Sequence, residues 1–264
     1  NLNKPILFTE KLQWLKLHDR KEFYPRYVDK IEMREIIKQK FGADLLIPVL
    51  GVYTNVNQID WTSLPQRFVV KCSHGSGCNI ICRNKNELDI KNSVQLIKRW
   101  MNYNWYWFGR EWPYKHIVPR ILIEQYMENS GTCLESNNDT KDSSLIDYKF
   151  YCFNGKPTYC QVIANRYSGE TIDFYDLEWR LMPFTGLHTS PFPHSDKGHK
   201  KPANFNQMII ISEELSRDSR FVRVDFYEVG SKLYFGEFTL YPKSGFGKFD
   251  PEEWNAILGN MLKL

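Results

Sequence analysis

The sequence lacks most of the patterns that would place a chain in a class at a glance. No apolar run approaches the roughly 20 residues that a membrane-spanning helix needs, and no stretch has the make-up of a signal peptide. The six cysteines form no CxxC pair, which argues against a zinc site. Neither the phosphate-loop pattern GxxxxGK(S/T) nor a GxGxxG fingerprint before a helix occurs. The chain therefore carries neither of these two nucleotide-binding motifs. We expect a cytoplasmic protein.

The composition indicates a folded chain with a substantial core. The 264 residues fit one large domain or two closely associated subdomains. Aromatic residues make up 15% of the chain, and because each can bury a large area, we expect a large core. The formal net charge of +4 suits a nucleotide or an acidic sugar polymer and is too weak to indicate nucleic acid. Several cysteines lie in apolar strand-like runs, so we predict reduced thiols rather than disulfides.

Helical and strand patterns alternate along the chain without strict strand–helix–strand order. Apolar residues at helical spacing extend to about Phe41, and Gly42 is typical of a helix end. This mixture favours an α+β fold. Further helices are predicted at 89–101, 207–215 and 251–264, strands at 45–52 and 121–127, hairpins at 69–82, 147–164 and 221–240, and polar loops at 129–144 and 188–205.

A glycine-containing turn follows the first hairpin strand, in the sequence FVVKCSHGSGCNI at residues 68–80. Lys71 lies at the end of the apolar run, and the turn at 74–77 contains two glycines. Successive backbone N–H groups in such a turn can hold an anion, and a strand lysine adds a point charge for phosphate. The pattern indicates a site for a nucleotide triphosphate, and an ordinary strand–turn–strand hairpin is the alternative.

A second pattern lies in RVDFYEVGSKLYFGEFTLYPKSG, residues 223–245. Arg223 and Asp225 are two residues apart on one strand, so their side chains share a face, and Glu237 and Thr239 do the same on the partner strand. Facing carboxylates with a further oxygen ligand can hold Mg²⁺. An arginine beside them can bind a phosphoryl group. The alternative is a surface hairpin whose charges pair across the strands.

Three other features allow two interpretations each. The aromatic run WMNYNWYWFGREW at residues 100–112 could stack on a sugar ring, or it could pack in a core or at a subdomain seam. His188, His194 and His199 lie in a predicted loop without recurrent metal-ligand spacing, which favours solvated side chains. Arg166 follows a predicted hairpin strand and is a candidate contact for an acceptor or for phosphate.

The order of these features resembles the ATP-grasp superfamily over nearly the whole chain. In this resemblance Lys30 and Lys71 correspond to two phosphate-contacting lysines, and the loop at 74–77 closes over the phosphates. The segment at 123–127 is similar to the hinge between two α+β subdomains, where adenine binds. The resemblance implies that ATP is bound by Lys30, Lys71, His74, Gly75, Ser76, Gly77, Glu124, Gln125, Tyr126, Met127, Asp147 and Lys149.

The same resemblance implies a metal site, and the charged residues near it are candidates for catalysis. Asp225, Glu237 and Thr239 match the positions that hold Mg²⁺, with Thr239 in place of the more usual asparagine. The catalytic residues would be Arg223, Lys149 and Arg166.

Four phrases resemble the teichuronopeptide-biosynthesis (TupA-like) ATP-grasp family more narrowly: DKIEMREIIKQKFG, VVKCSHGSGCNIIC, DYKFYCFNGKP and FVRVDFYEVGSKLYFGEFTLYPKSG. Proteins of that kind are associated with capsules, exopolysaccharides and cell-wall polymers. The resemblance implies an ADP-forming carboxylate–amine ligase that joins an amine or amino acid to a uronic-acid-containing saccharide, either nucleotide-linked or polymeric. It implies no nucleic-acid partner and no transmembrane segment.

Two other functions remain open from the sequence. A glycosyltransferase of the same polymers would be helped by an Asp-x-Asp motif, and none occurs. A non-catalytic nucleotide-binding regulator would not need the carboxylate pair. The expected organisation is a helical lead-in and first strand at 1–60, a small subdomain with the glycine loop at 61–128 and a large subdomain with the metal site at 129–264, without a separate N-terminal Rossmann-like domain.

Overall fold

The computed structural model describes residues 2–128, 144–188 and 193–264. The chain divides into two compact units: a smaller unit of residues 20–127, and a larger unit of residues 1–19 together with 128–264. The subdomain boundaries at 60 and 128 stay a prediction. The predicted polar loop at 129–144, apart from Ser144, lies outside the described residues with its Cys133, and so do residues 189–192 of the second predicted loop.

The smaller unit combines a four-stranded antiparallel sheet with helices. Its elements are α2 (Tyr24–Val28), α3 (Lys30–Phe41), β1 (Val49–Tyr53), β2 (Phe68–Cys72), β3 (Asn79–Cys82), α4 (Ile90–Met101), α5 (Tyr106–Gly109) and β4 (Ile121–Gln125). The strand order is β1-β4-β2-β3. Ile97 of α4 is buried in one core cluster with the sheet residues Phe68, Val70 and Ile123.

Helix α3 has the end signals that its sequence predicts. Asp29 precedes it, and its Oδ1 accepts hydrogen bonds from the backbone of Ile31 at 2.8 Å and of Glu32 at 3.3 Å. Gly42 follows the helix with a φ of +93°, a conformation that glycine adopts without a Cβ penalty. These two residues mark the start of the helix at Lys30 and its end at Phe41.

The larger unit is built on a five-stranded antiparallel sheet. Its elements are α1 (Phe8–His18), β5 (Asp147–Phe153), β6 (Lys156–Ala164), β7 (Thr171–Tyr175), β8 (Thr185–His188), α6 (Phe205–Ser216), β9 (Phe221–Val229), β10 (Lys232–Thr239), β11 (Lys248–Asp250) and α7 (Trp254–Met261). The strand order is β10-β9-β5-β6-β7, and β8 pairs with β11 in a separate two-stranded sheet.

Aromatic residues cover both faces of this five-stranded sheet. On one face α6 contributes Phe205, whose ring centroid lies 5.5 Å from that of Phe150. On the other face α1 contributes Phe8, which packs edge-on against Phe221 at 4.9 Å and also contacts Phe153. The Phe8 face carries the charged residues of the candidate site further along the strands. The predicted large aromatic core is therefore present.

The α+β class and the three predicted hairpins are confirmed. Two element boundaries were wrong. The first strand begins at Val49 rather than at residue 45, because Ala43–Leu45 form a 3-10 turn. The last helix begins at Trp254 rather than at residue 251, because 248–250 pair as a strand and Trp254 N donates to Pro251 O in a turn, at 3.2 Å.

The short elements β7, β8, β11 and α5 were not predicted. They span 3 to 5 residues. Strand β7 pairs with the preceding strand β6, whereas β8 and β11 pair with each other across about 60 residues of chain. The described cysteines Cys72, Cys78, Cys82, Cys152 and Cys160 are buried free thiols. Of the helices in the described ranges, none has both the length and the apolar character that a bilayer span requires.

Candidate active site

Charged side chains of alternating sign lie on one face of the five-stranded sheet in the larger unit. Lys149 on β5 lies opposite Asp225 on β9, and its Nζ donates to Asp225 Oδ2 at 2.6 Å. Asp147, two residues earlier on the same face, contacts the same Nζ through Oδ1 at 2.9 Å. All three side chains are buried. Because an unpaired buried charge is costly, these three groups stabilise one another.

Arg223 connects this pair to the neighbouring strand. Its Nε donates to Asp225 Oδ1 at 2.7 Å and its Nη2 donates to Oδ2 at 2.6 Å, a bidentate pair. The same Nη2 lies 3.0 Å from Glu237 Oε1 and 3.1 Å from Thr239 Oγ1. Burial lowers the pKa of Arg223, but the charges of Asp225 and Glu237 outweigh burial and raise it above its usual range. The guanidinium therefore stays charged.

A β-bulge brings Glu237 to this position. The register between β9 and β10 shifts by one residue between Phe235 and Phe238, so one extra residue lies on β10. Gly236 lies in the bulge, where a Cβ would come within 3.0 Å of the Asp225 carbonyl oxygen. Glu237 then lies beside Thr239, whose Oγ1 donates to Glu237 Oε1 at 2.9 Å. The bulge thus places two oxygen-bearing side chains next to Arg223.

Arg166 lies at the other end of the charged row. Its Nη2 lies 2.7 Å from Asp147 Oδ2, and its Nη1 lies 3.3 Å from Glu170. Burial raises the pKa of Asp147, but Lys149 and Arg166 outweigh it and hold that pKa below its usual range. The order of groups is Arg166, Asp147, Lys149, Asp225, Arg223 and Glu237, so positive and negative charges alternate.

Sequence reasoning missed Tyr227, which belongs to the same face. It lies opposite Asp147, and the charge of that carboxylate, with burial, raises the pKa of the Tyr227 hydroxyl well above its usual range. The signal was available, since Arg223, Asp225 and Tyr227 occupy alternate positions of β9. The phenol stays neutral beside the charged row.

The donor atoms at the end of this row fit a hard divalent cation. Asp225, Glu237 and Thr239 offer two carboxylates and one hydroxyl, and one oxygen of each lies within 3.1 Å of the positively charged Arg223 Nη2. Carboxylate and hydroxyl oxygens are the ligand types that Mg²⁺ prefers. In the part of the chain that the structure describes, no group of three or more His, Cys, Asp or Glu side chains forms a metal cluster. A metal here would therefore depend on Thr239 or on phosphate oxygens for further ligands.

The smaller unit gathers two cations on one buried carboxylate. Lys71 Nζ on β2 lies 2.6 Å from Glu124 Oε2 on β4, and Arg34 Nη1 from α3 lies 2.6 Å from Oε1. Both carboxylate oxygens of Glu124, the residue expected to contact adenine, are thus in ion pairs within the unit. Arg34 was missed, although it lies one helical turn after Lys30 on the same face of α3.

The glycine loop is bound by Lys30 at one side and is exposed at its tip. Lys30 Nζ donates to the Gly75 carbonyl, and Lys30 N donates to Ser73 O at 3.1 Å. Ser76 and Gly77 are exposed, and Gly77 has a φ of +73°. Of the four predicted loop residues, these two are exposed.

The other two residues of the loop, His74 and Gly75, are buried. The His74 Nε2 lies 3.0 Å from the Trp100 carbonyl oxygen, and burial lowers the pKa of this histidine, which favours a neutral ring. Gly75 packs against Trp105: a Cβ at Gly75 would lie 1.8 Å from the indole Nε1. The loop is thus anchored by the aromatic segment that follows α4.

Gln125, Tyr126 and Met127 follow the end of β4. Gln125 N donates to Pro48 O at 2.9 Å, so this backbone donor is used within the unit. Tyr126 lies under the Arg67 guanidinium, 5.3 Å from the ring centroid. The Lys71–Glu124 ion pair is formed without these three residues. Their contacts with adenine stay a prediction.

The expectation of solvated histidines was wrong for His199, whose side chain is only 13% exposed, whereas that of His194 is 40% exposed. His194 Nδ1 lies 2.8 Å from Asp173 Oδ1, and His199 Nε2 lies 3.0 Å from Oδ2 of the same buried carboxylate. Burial raises the pKa of Asp173, but hydrogen bonds from His199, Ser195 and His194 outweigh it and lower the pKa below its usual range. The side chain of His188 lies outside the described part of the chain.

Two features carry the resemblance of the sequence to ATP-grasp proteins. One is the glycine-containing hairpin with its strand lysine, and the other is the pair of neighbouring strands with the patterns Arg-x-Asp and Glu-x-Thr. The family model described as TupA-like ATPgrasp matches residues 10–263. The chain therefore belongs to the TupA-like ATP-grasp family. No curated protein matches it.

Solved structures of ATP-grasp and related ligases are similar to this chain at low identity. D-alanine–D-alanine ligase from Bacillus anthracis, complexed with ATP, is 14% identical with a TM-score of 0.43, over 81% of this chain and 54% of that chain. The same enzyme from Helicobacter pylori is 13% identical with a TM-score of 0.46, over 97% and 69%. The ligase PsnB, complexed with a minimal precursor, Mg and ADP, is 9% identical with a TM-score of 0.42, over 88% and 57%. The chain thus spans little more than half the length of the first and third of these proteins.

Proposed function

We propose that this chain is an ATP-dependent carboxylate–amine ligase that releases ADP and forms an amide through an acyl phosphate. Membership of the ATP-grasp family supports the reaction class. The observation that carries the proposal is the buried Arg223–Asp225 pair with Glu237 and Thr239 beside it. Such a group suits the transfer of a phosphoryl group better than glycosyl transfer.

In the first step a substrate carboxylate oxygen attacks the γ-phosphorus of ATP. The bond from phosphorus to the β–γ bridging oxygen breaks, and ADP leaves with that electron pair. This reaction needs positioning and charge neutralisation rather than covalent help from the protein. Arg223 has a planar donor set that can bind two phosphoryl oxygens, and Lys149 adds a second fixed charge. Mg²⁺, held by Asp225, Glu237 and Thr239, would supply further neutralisation of the triphosphate.

In the second step the amine nitrogen attacks the acyl carbon. The carbon–oxygen bond to phosphate breaks, inorganic phosphate leaves, and the nitrogen loses a proton. An acyl phosphate is also open to attack by water, so the site must exclude water until the amine arrives. We assign Arg166 a contact with the acceptor, because its half-exposed guanidinium is fixed by Asp147 at the end of the charged row.

The smaller unit would hold the phosphates. Lys71 and Lys30 supply positive charge, and the exposed residues Ser76 and Gly77 have backbone N–H groups that can donate to phosphate oxygens. Lys71 would exchange its ion pair with Glu124 for one with phosphate, while Arg34 keeps Glu124 paired. We propose this division of roles for the two cations that contact the one carboxylate of Glu124.

We propose a uronic acid of a bacterial cell-surface saccharide as the carboxylate substrate, an amino acid or small amine as the second substrate, and the cytoplasm as the location. The support is the family to which the chain belongs and its net charge of +4, which suits an anionic acceptor.

The test is a phosphate-release assay over a panel of uronic acids and amines, with mass spectrometry of the products. ADP and phosphate should form when both substrates are present, and hydroxylamine should trap the acyl phosphate as a hydroxamate. Glu237→Gln should abolish turnover. The matched control is Glu178→Gln, which removes an exposed carboxylate paired with Arg180 and should leave turnover unchanged. Formation of AMP, or sugar transfer without ATP, would contradict the proposal.

A further inference from the structure

An exposed aromatic surface lies in the smaller unit, outside the candidate active site. The side chains of Trp107 and Phe108 on α5 are 61% and 69% exposed, which is unusual for such large apolar groups. The Tyr106 ring lies beside that of Trp107, at 5.0 Å between centroids. We call Tyr106, Trp107, Phe108, Arg110 and Lys115 the aromatic platform. Nothing in the proposed chemistry uses it.

Two cations lie over the rings of the platform. The Arg110 guanidinium is 4.7 Å from the centroid of Trp107 and 5.6 Å from that of Tyr106, and Lys115 Nζ is 5.6 Å from the Tyr106 centroid. Between residues 98 and 120 the sequence has five basic residues and a single acidic one, Glu111. The platform therefore combines flat apolar faces with positive charge.

The platform is held in shape before any ligand arrives. Arg110 N donates to Tyr106 O at 2.8 Å, and Asn104 Nδ2 donates to Lys115 O at 3.0 Å, which ties Lys115 to the start of the segment. Trp105, which precedes α5, packs edge-on against Phe108 at 5.8 Å and is fixed against Gly75 of the glycine loop. A surface that is already ordered loses little entropy when it binds.

We propose that the aromatic platform binds an anionic saccharide, with a pyranose ring on the exposed indole face and its carboxylate on Arg110. The apolar C–H face of a pyranose matches an aromatic ring, and a guanidinium binds a carboxylate through two donors. An anionic lipid surface could also meet Trp and Arg side chains at its headgroups, and it is the competing outcome that the test separates. The platform would thus give the smaller unit a binding site for the acidic acceptor.

This inference deepens the proposed function and rests on it for the identity of the acceptor. The test therefore measures binding rather than turnover. Hexagalacturonate, its fully methyl-esterified and hence neutral form, phosphatidylglycerol vesicles and Mg-ATP are each titrated into the full chain and into variants. The variants are Trp107→Ala and Arg110→Gln. The matched control is Phe246→Ala, an aromatic side chain that is 73% exposed and lies under Lys16 at 4.9 Å.

We expect Trp107→Ala to weaken binding of both the acid and the ester about tenfold, because the ring face is lost for both. Arg110→Gln should weaken binding of the acid about tenfold and leave the ester within about twofold. Phe246→Ala should change neither, and all three variants should bind Mg-ATP like the wild type.

The proposal is overturned if the wild type does not bind hexagalacturonate, or if Trp107→Ala binds it like the wild type. It is also overturned if Arg110→Gln weakens acid and ester equally, or if the two platform variants lose vesicle binding but keep saccharide binding. A wild type that binds hexagalacturonate through the platform but does not bind Mg-ATP would contradict the proposed ligase and leave the platform intact.

Discussion

The two compact units organise their buried charges differently. In the larger unit three cations, Arg166, Lys149 and Arg223, alternate with three carboxylates along rigid strands, so the row is nearly neutral. In the smaller unit Lys71 and Arg34 lie on the single carboxylate of Glu124, and Lys30 lies on a backbone carbonyl. Two cations on one carboxylate leave one positive charge in excess at the Glu124 cluster, as a phosphate site requires. The balanced row instead suits a metal ion that arrives together with its anionic phosphates.

The largest loss of stability should come from a substitution at the centre of the charged row in the larger unit. Asp225→Asn removes the carboxylate that Lys149 and Arg223 share and leaves each with one remaining partner, Asp147 and Glu237. Because Lys149 and Arg223 are little exposed, we expect the free energy of unfolding to fall by about 3–5 kcal/mol. Denaturant unfolding followed by circular dichroism measures it. The surface control Glu178→Gln should stay within about 0.5 kcal/mol of the wild type. Equal stability of Asp225→Asn and the control would mean that the row is not energetically coupled.

The corresponding substitution in the smaller unit, of Glu124 by glutamine, should destabilise the protein less. Glu124→Gln leaves Lys71 and Arg34 without a carboxylate, but their side chains keep 23% and 15% exposure, against 9% and 13% for Lys149 and Arg223. Water can therefore solvate them in part, and we expect a loss of about 2 kcal/mol in the same unfolding experiment. If Glu124→Gln proved more destabilising than Asp225→Asn, the contrast between the units would be wrong.

A third variant tests how the glycine loop is anchored. In Gly75→Ala the new methyl group would lie 1.8 Å from Trp105 Nε1, so the indole or the loop must move. We expect a loss of about 1–3 kcal/mol in unfolding free energy, typical of overpacking. Ser76→Ala, at the exposed tip, is the control and should be neutral. Adding Trp105→Leu to Gly75→Ala should recover part of the loss, and failure to recover any would place the strain elsewhere.

The smallest effect is a pH dependence of the larger unit. The pKa of Asp147 is held below its usual range by Lys149 and Arg166 against burial, so its stabilisation is full above the unfolded-state pKa of about 3.9 and is lost as the pH falls through the folded-state value. Between pH 6 and pH 3 the wild type should therefore lose more stability than Asp147→Asn, as thermal unfolding at each pH would report. Parallel pH profiles of the two proteins would contradict this assignment.

Much of the fold was predictable because its signals are local. The hairpin of β5 and β6 follows from two alternating strands around Asn154 and Gly155, whose φ values of 51° and 81° are those that such a turn requires. Strands β8 and β11 are too short to be recognised from a local pattern. They form because each completes the hydrogen bonds of the other, although about 60 residues separate them in the chain.

The candidate site also contains contacts that the sequence predicts locally and contacts that it does not. Arg223 and Asp225 could be paired from their spacing of two residues on one strand. The partnership of Arg34 with Glu124 spans 90 residues, and that of His194 with Asp173 joins a strand to a distant loop. Contacts of this kind depend on the tertiary fold, and no local pattern encodes them. The packing of Trp105 on Gly75 belongs to the same class.

The most direct test of the account is calorimetric titration of ATP into the full chain with Mg²⁺ and with a chelator. If the oxygen-bearing side chains beside Arg223 hold Mg²⁺ with the nucleotide, ATP binding should weaken at least about tenfold, or about 1.4 kcal/mol, when Mg²⁺ is removed. Glu237→Gln should lose most of this dependence on Mg²⁺ while it still binds the nucleotide. A correctly folded sample that binds no ATP at millimolar concentration, with or without Mg²⁺, would contradict the account.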